Sequence, residues 1–500
     1  MSIVLVVCAL IISTLLAVFK ARTALILAVF FIPWSGLDVD IGLRVTGYLL
    51  LVVPLLFVCC LRSMTLGQVE GGAGIGLLWL VFIYAVILTV SQIPYLPEAS
   101  ISGGIFRQPS VRSLVQILMF FIQLSPIWIV AQVVKSGANV VSAGKAYLLS
   151  CLVLSVVGWW QLLVWYGTGV DPLPVGFIDG LLDGRASHRS GVFQFLGGTV
   201  YRMSSFGGEP RDLGISLTVA LLLLQSGVKL GRRYALWLWP FLFVSMISTF
   251  STMAIMGWVG ASLVQFFIAD RFARQTLLTR SWFNGSVRWI LLAFPLVMVV
   301  ALSGKGGHFL GMVEYRTLDR VSHSERGALE DFNIANLDFL LDQPVWAVTG
   351  TGLGNSHLYS TPYLPDWARY YAKGTPFVAK SSVLRWVTEL GLPSLILFLC
   401  LIFSRIHRSL KRALLNGSTA RTAGMLGRFA VPILALWLVS GYIAPQFYMT
   451  IGFCIALGGI GARGPGLHGG TPGPQEIGRH VPNTLVGAAT APIHRASILD

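Results

Sequence analysis

Long apolar blocks separated by polar connections set the pattern of the chain. The blocks lie near residues 2 to 19, 23 to 36, 46 to 61, 76 to 95, 113 to 134, 147 to 166, 212 to 228, 233 to 250, 253 to 269, 288 to 303, 383 to 404, 429 to 443 and 446 to 461. Most run for about 16 to 22 residues, the length a helix needs to cross a hydrocarbon layer of about 30 Å. Two connections are long, about 167 to 211 and about 304 to 382. Within the second, Arg326 to Leu341 spaces Leu329, Phe332, Ala335, Leu337, Leu340 and Leu341 by about three or four, which predicts an amphipathic helix lying over the membrane domain. Beyond Gly461 the apolar period stops. Gly464, Pro465, Gly466, Gly469, Gly470, Pro472, Gly473 and Pro474 predict a disordered tail over 462–500.

Composition strengthens this picture. Hydrophobic residues make up 55% of the chain and charged residues 11%, with a mean hydropathy of +0.74, too apolar for the surface of a soluble protein of this size. The expected fold is an all-α polytopic membrane protein of about twelve to thirteen transmembrane helices, with residues 1–461 as a single membrane domain. The first block is expected to be a retained helix: no basic segment precedes it, Lys20 and Arg22 follow it, and more spans come after. All six cysteines, Cys8, Cys59, Cys60, Cys151, Cys400 and Cys454, fall in apolar blocks, so no disulfide framework is expected.

A formal charge of +15 raises the question of nucleic acid, but the distribution of the charge points to topology. With the connection after the first helix placed in the cytoplasm, alternation puts Lys20, Arg22, Arg62, Lys135, Lys145, Lys229, Arg232, Arg233, Arg271, Arg274, Arg280, Arg288 and the run from Arg405 to Arg428 inside. The two long connections then lie outside and the tail inside. No nucleic-acid partner is expected.

Three polar constellations stand at or within the long connections. Tyr201 to Gly214 carries Arg202, Gly207, Gly208, Glu209, Pro210, Arg211 and Asp212 at the start of a helix. Guanidinium forks and helix-end amides suit phosphate oxygens, while the competing reading is an interfacial cluster that only caps the helix. Arg316, Arg320, His323, Glu325 and Arg326 come next, followed by Pro344 and the string Thr349-Gly350-Thr351-Gly352-Leu353-Gly354-Asn355. No strand precedes that string and no Gly-Lys-Ser/Thr follows, so it reads as a backbone turn rather than a nucleotide loop. The third runs from Lys380 to Pro393, with Arg385 and Glu389 four residues apart in an apolar helix. Charge inside a membrane costs about 2.5 to 3.5 kcal/mol per residue at a helix centre, so this pair is either structural or lines a polar cavity. The outer histidines His188, His308, His323 and His357 show no metal-ligand spacing, and a single loop histidine is ordinarily solvated.

In their order and topology these constellations resemble the bacterial O-antigen polymerase and O-antigen ligase superfamily over most of residues 1 to 461. The matching features are Arg202 followed by Pro210 and a helix, then Pro344 with Gly350, Gly352 and Gly354, and then Lys380-Ser381-Ser382 leading to Glu389-Leu390-Gly391. Arg326 lies a few residues farther from the proline than the loop arginine of the family. Lys380 stands where ligases have a histidine, which tilts the resemblance toward a polymerase. The resemblance implies transfer of a saccharide from undecaprenyl diphosphate to an acceptor sugar on the outer face of the bacterial inner membrane. It also implies a repeat-unit flippase and a chain-length regulator as partners beside the lipid-linked oligosaccharide and membrane lipid. Arg202, Arg211, Arg316, Arg320, Arg326 and Lys380 are the candidates for holding the diphosphate, and Glu209, His323 and Glu389 for taking the hydroxyl proton. No cofactor and no metal are expected, with arginine in place of a divalent ion. A ligase acting on a finished glycan is the nearest alternative. A transporter or flippase is the alternative from another class, against which stands the concentration of polar residues in two outer loops rather than at the midplane.

Overall fold

The computed structural model describes residues 2–40, 44–66, 73–96, 108–170, 192–195, 198–228, 232–269, 328–366, 369, 377, 379–415 and 419–462. Residues 1–462 form one compact unit. The expected span at 288 to 303, the tail, and the candidates Arg316, Arg320, His323 and Arg326 lie outside the described residues.

The chain forms α1 (Ser2–Phe19), α2 (Ala21–Phe31), the hairpin β1–β2 (Asp38–Asp40, Arg44–Thr46), α3 (Gly47–Leu66), α4 (Ala73–Gln92), α5 (Pro109–Val133) and α6 (Gly137–Thr168). The hairpin β3–β4 (Val192–Phe195, Gly198–Tyr201) leads to α7 (Pro210–Gln225), α8 (Arg232–Ser248) and α9 (Thr252–Val264), which ends in a π-helical turn at Gln265–Ala269. After the second long connection come α10 (Ala328–Asp342), α11 (Val345–Thr349), α12 (Ser356–Ser360), α13 (Ser382–Leu390), α14 (Leu392–Leu415), α15 (Ala420–Val439) and α16 (Ala444–Ala462). The fold is therefore helical with two short antiparallel hairpins that the all-α expectation lacked. The second hairpin follows from Val192-Phe-Gln-Phe and Thr199-Val-Tyr, whose β-branched and aromatic residues favour a pleated surface.

Among the described residues five helices are long and apolar enough to cross a membrane: Gly47–Thr65, Pro109–Val133, Gly137–Thr168, Leu392–Arg412 and Ala420–Val439. Six shorter apolar helices accompany them. Apolar residues such as Leu163, Ile87 and Phe57 remain exposed along these helices, as a lipid-facing surface requires. All six cysteines lie in helices and are free.

Two elements depart from the apolar-block reading. The block at 383 to 404 is broken at Gly391 (φ +82°) into a short amphipathic helix, α13, and the span α14. Arg385 and Glu389 thus sit on a helix that precedes the span rather than inside it. The block at 429 to 443 begins earlier, at Ala420, so Arg428 is buried in a helix rather than placed in a connection. α13 is held by aromatic packing: Trp386 stacks on Phe398 of α14 (4.3 Å between centroids) and meets Trp437 of α15 edge-on, and Trp437 stacks on Phe447 of α16 (4.6 Å).

Candidate functional site

The first polar constellation is delivered by β4. Tyr201 is buried and stacks on Trp165 of α6 (4.9 Å), and Met203 packs against Gly158, where a Cβ would meet its Cγ at 2.5 Å. Between them, Arg202 donates from Nε to the Thr249 carbonyl at 3.0 Å. Gln161 accepts the Ser205 amide (2.6 Å), and Ser35 donates to the Gly207 carbonyl (2.6 Å). The Gly207-Gly208 pair has a packing reason: Gly208 has φ +87°, and its amide is so close to Gly36 that a Cβ there would meet it at 2.4 Å. At the start of α7, Arg211 lies between two carboxylates, with Nη2 at 2.6 Å from Glu209 and Nε at 3.6 Å from Asp212.

The glycine string is a turn, as the sequence suggested, and it clamps α13. The Thr351 amide donates to the Thr388 carbonyl (2.8 Å), the Gly352 amide to the Glu389 carbonyl (2.9 Å), and the Leu353 amide to Thr89 Oγ1 of α4 (3.0 Å). Gly350, Gly352 and Gly354 all have φ near +80°, and the closeness of Gly354 to Gln116 of α5 leaves no room for a side chain (2.4 Å). Asn355 accepts from Ser113 of α5 at 2.9 Å.

His357 corrects the expectation that a loop histidine is solvated. It is 6% exposed, with Nδ1 at 3.0 Å from the Gly354 carbonyl and Nε2 at 2.9 Å from Arg112 Nη1. A carbonyl only accepts, so Nδ1 carries the proton and Nε2 accepts from the guanidinium. Burial first, and then the positive charge of Arg112, push the His357 pKa down to about 3. The imidazole is neutral.

From Arg112 the polar chain continues through α13. Arg112 lies within electrostatic range of Glu389 and Arg385. Arg385 Nε is 3.4 Å from Glu389 Oε2, with the carboxylate buried and the arginine one-third exposed. Lys380, just before α13, is within range of Arg211, Glu209, Asp212 and Arg385. Burial, followed by Arg211, holds its ammonium below the ordinary lysine range. Asn333 of α10 fixes the backbone here by accepting the Lys380 amide (2.8 Å) and the Ser381 amide (3.3 Å).

The fold therefore brings Glu209 and Arg211 of the first constellation within electrostatic range of Lys380 of the third, and Lys380 within range of Arg385, which pairs with Glu389; the glycine string is the brace of that helix. Arg202 is anchored on the same segment, eight residues before Pro210. Arg112 and His357 belong to the same network and were missed as site residues. The signal for Arg112 was available, since a lone arginine one turn into a long apolar helix is costly without a partner. Among the described residues no group of three or more His, Cys, Asp or Glu side chains is placed to hold a metal ion.

These features define an α-helical membrane protein with a cation-rich polar cluster braced by its loop segments. No protein-family model matches the chain, and no curated protein matches it.

Proposed function

We propose that the protein is a glycosyltransferase that polymerises undecaprenyl-diphosphate-linked saccharide repeat units at the outer face of the bacterial inner membrane. The observation that supports the reading is the approach of Arg211 and Lys380, which lie 169 positions apart in the sequence, beside Glu209 and Asp212. An acceptor sugar hydroxyl attacks the anomeric carbon of the donor unit. The bond from that carbon to the diphosphate oxygen breaks, and the lipid diphosphate leaves with the electron pair. Fixed cations lower the cost of that charge more than they stabilise the bound donor, because it grows as the bond breaks. Arg202, Arg211 and Lys380 take this role, with Arg316, Arg320 and Arg326 as further candidates, and no divalent ion is required. Glu209, half-exposed at the edge of the cluster, is the carboxylate best placed to take the hydroxyl proton. His323 is the alternative base.

The test is the lipid-linked pool of cells carrying Arg202→Ala, with membrane transfer assays run in excess chelator. Polymer should fall by about a hundredfold or more, the scale of losing one transition-state donor, while single lipid-linked units accumulate and the protein stays folded in the membrane. Arg202→Lys should rescue poorly, since an ammonium cannot reproduce the fork. Long lipid-linked chains in the Arg202→Ala strain would instead identify a ligase. Activity lost to the chelator and restored by magnesium would reject the arginine mechanism.

A further inference from the structure

The cations assigned above do not include Arg385, and Glu389 is too enclosed to reach a substrate, being 2% exposed. We propose that Arg385 is a further anion-binding residue of this site, and that Glu389, Arg112 and His357 are positioning residues that aim it. The proposal rests on the reading of the site as one that holds a phosphate-bearing ligand.

Three observations support it. Glu389 engages Arg385 through Nε, and among the described residues neither Nη1 nor Nη2 of Arg385 makes a hydrogen bond. An arginine held through Nε keeps both terminal nitrogens for a ligand, and such a fork can grip two oxygens of a phosphate at once. Second, the burial is graded along the chain of contacts: Glu389 is sealed, with Oε1 making no hydrogen bond among the described residues, whereas Arg385 is one-third exposed. The carboxylate stands behind the guanidinium.

The third is charge. Arg112 and Arg385 share the single carboxylate of Glu389, and His357 adds none, because its proton lies on Nδ1 and Nε2 accepts from Arg112. Among the described residues these two positive charges against one negative leave a surplus of one, and Lys380, which is itself faced by Arg211, Glu209 and Asp212, lies within range of the exposed member. A surplus cation at a partly desolvated site is stabilised by an anion and costs free energy without one. The ligand chemistry is a phosphate or diphosphate oxygen pair, supplied either by the carrier diphosphate or by an anionic phospholipid headgroup.

Full-length protein in phosphatidylcholine nanodiscs separates these sources when titrated calorimetrically with inorganic pyrophosphate, with parallel nanodiscs containing phosphatidylglycerol analysed for retained lipid by native mass spectrometry. Arg385→Ala should weaken pyrophosphate binding at least tenfold, and Arg385→Lys should recover only a minor part. Glu389→Gln should weaken it severalfold at unchanged helicity, and Glu389→Asp should restore part of that loss, which a merely structural carboxylate would not do. Loss of retained phosphatidylglycerol in Arg385→Ala, without an effect on pyrophosphate, assigns the site to lipid headgroups. If Arg385→Ala alters neither probe, the proposal is overturned. Should Glu389→Gln fail to fold, the two Arg385 variants still decide. Pyrophosphate binding through Arg385 in a protein that transfers no sugar would retain this site and remove the polymerase reading. Unimpaired sugar transfer and pyrophosphate binding in Arg385→Ala would do the reverse.

Discussion

At the scale of single residues, the pairing of Arg112 with His357 makes a measurable claim about pH. The folded protein holds His357 neutral down to about pH 3, whereas an ordinary histidine titrates near 6.5. Between those values the unfolded chain binds a proton that the folded chain refuses, so stability falls as the pH falls through this window. At pH 5 the loss relative to neutral pH is about 2 kcal/mol. Thermal unfolding in detergent at pH 7.5 and pH 5 should show that loss in the wild type and a smaller one in His357→Gln, whose amide oxygen can accept from Arg112 without titrating. Equal losses in the two proteins would show that His357 does not hold the neutral state. Nothing around His357 in the sequence announced this, because its partner lies 245 positions away on another helix.

At the scale of elements, the central feature is the break between α13 and α14. Gly391 (φ +82°, ψ 155°) and Gly350 (φ +74°, ψ 158°) both occupy a backbone region that is essentially reserved for glycine. They pack against each other's segments: a Cβ on Gly391 would lie 2.2 Å from the Val348 carbonyl oxygen, and one on Gly350 would lie 2.7 Å from the Glu389 carbonyl oxygen. Gly391→Ala should therefore cost about 3 kcal/mol or more and sharply reduce the folded fraction by size-exclusion chromatography. Gly76→Ala in α4, where among the described residues no neighbouring atom lies within 4 Å of the added Cβ, should be neutral or slightly stabilising. Comparable yields of the two variants would count against the clamp. Leu390-Gly391-Leu392-Pro393 did carry the stop signal of a helix, glycine past the end and proline soon after. The surrounding apolar run concealed it. The amphipathic helix of the second loop formed close to where its period placed it, as Ala328–Asp342, but its buried face is Phe332, Ala335, Asn336, Phe339 and Leu340. Leu337 and Leu341 point outward with Val345 and Val348, because that face meets neither the α12 segment nor Phe377.

At the scale of the whole molecule, the proposed orientation can be tested without reference to chemistry. Gln343 and Lys411 are both exposed, the first in the loop after α10 and the second near the end of α14. In a variant lacking the native cysteines, Gln343→Cys should react with a membrane-impermeant thiol reagent in intact spheroplasts, and Lys411→Cys should react only after lysis. Reversed labelling would place the cation cluster on the cytoplasmic side, where the proposed lipid-linked polymerisation does not occur. The basic residues on which the orientation rests are partly helical, since α14 carries Arg405, Arg408, Lys411 and Arg412 well beyond its apolar turns. A long basic side chain at a helix end reaches the interface without leaving the helix.

The sequence by itself determined that the chain is helical and apolar enough for a membrane, and the approximate place of most of the described helices, because burial in an apolar solvent leaves a clear mark in composition and block length. It did not show the break at Gly391 or the early start at Ala420. It also marked Arg202, Glu209, Arg211, Lys380 and Glu389 as costly residues near a membrane boundary, since charge there needs a reason. Only the tertiary structure decided which charges meet. The electrostatic interactions of Lys380 with Arg211 and of Glu389 with Arg112, and the hydrogen bond between Arg112 and His357, link separate elements of the chain. They depend on glycine turns, hairpin placement and aromatic packing, which fix distances of a few ångströms between distant segments. Local periodicity reports which face of an element is apolar, but it contains no information about which polar group that face will be brought against.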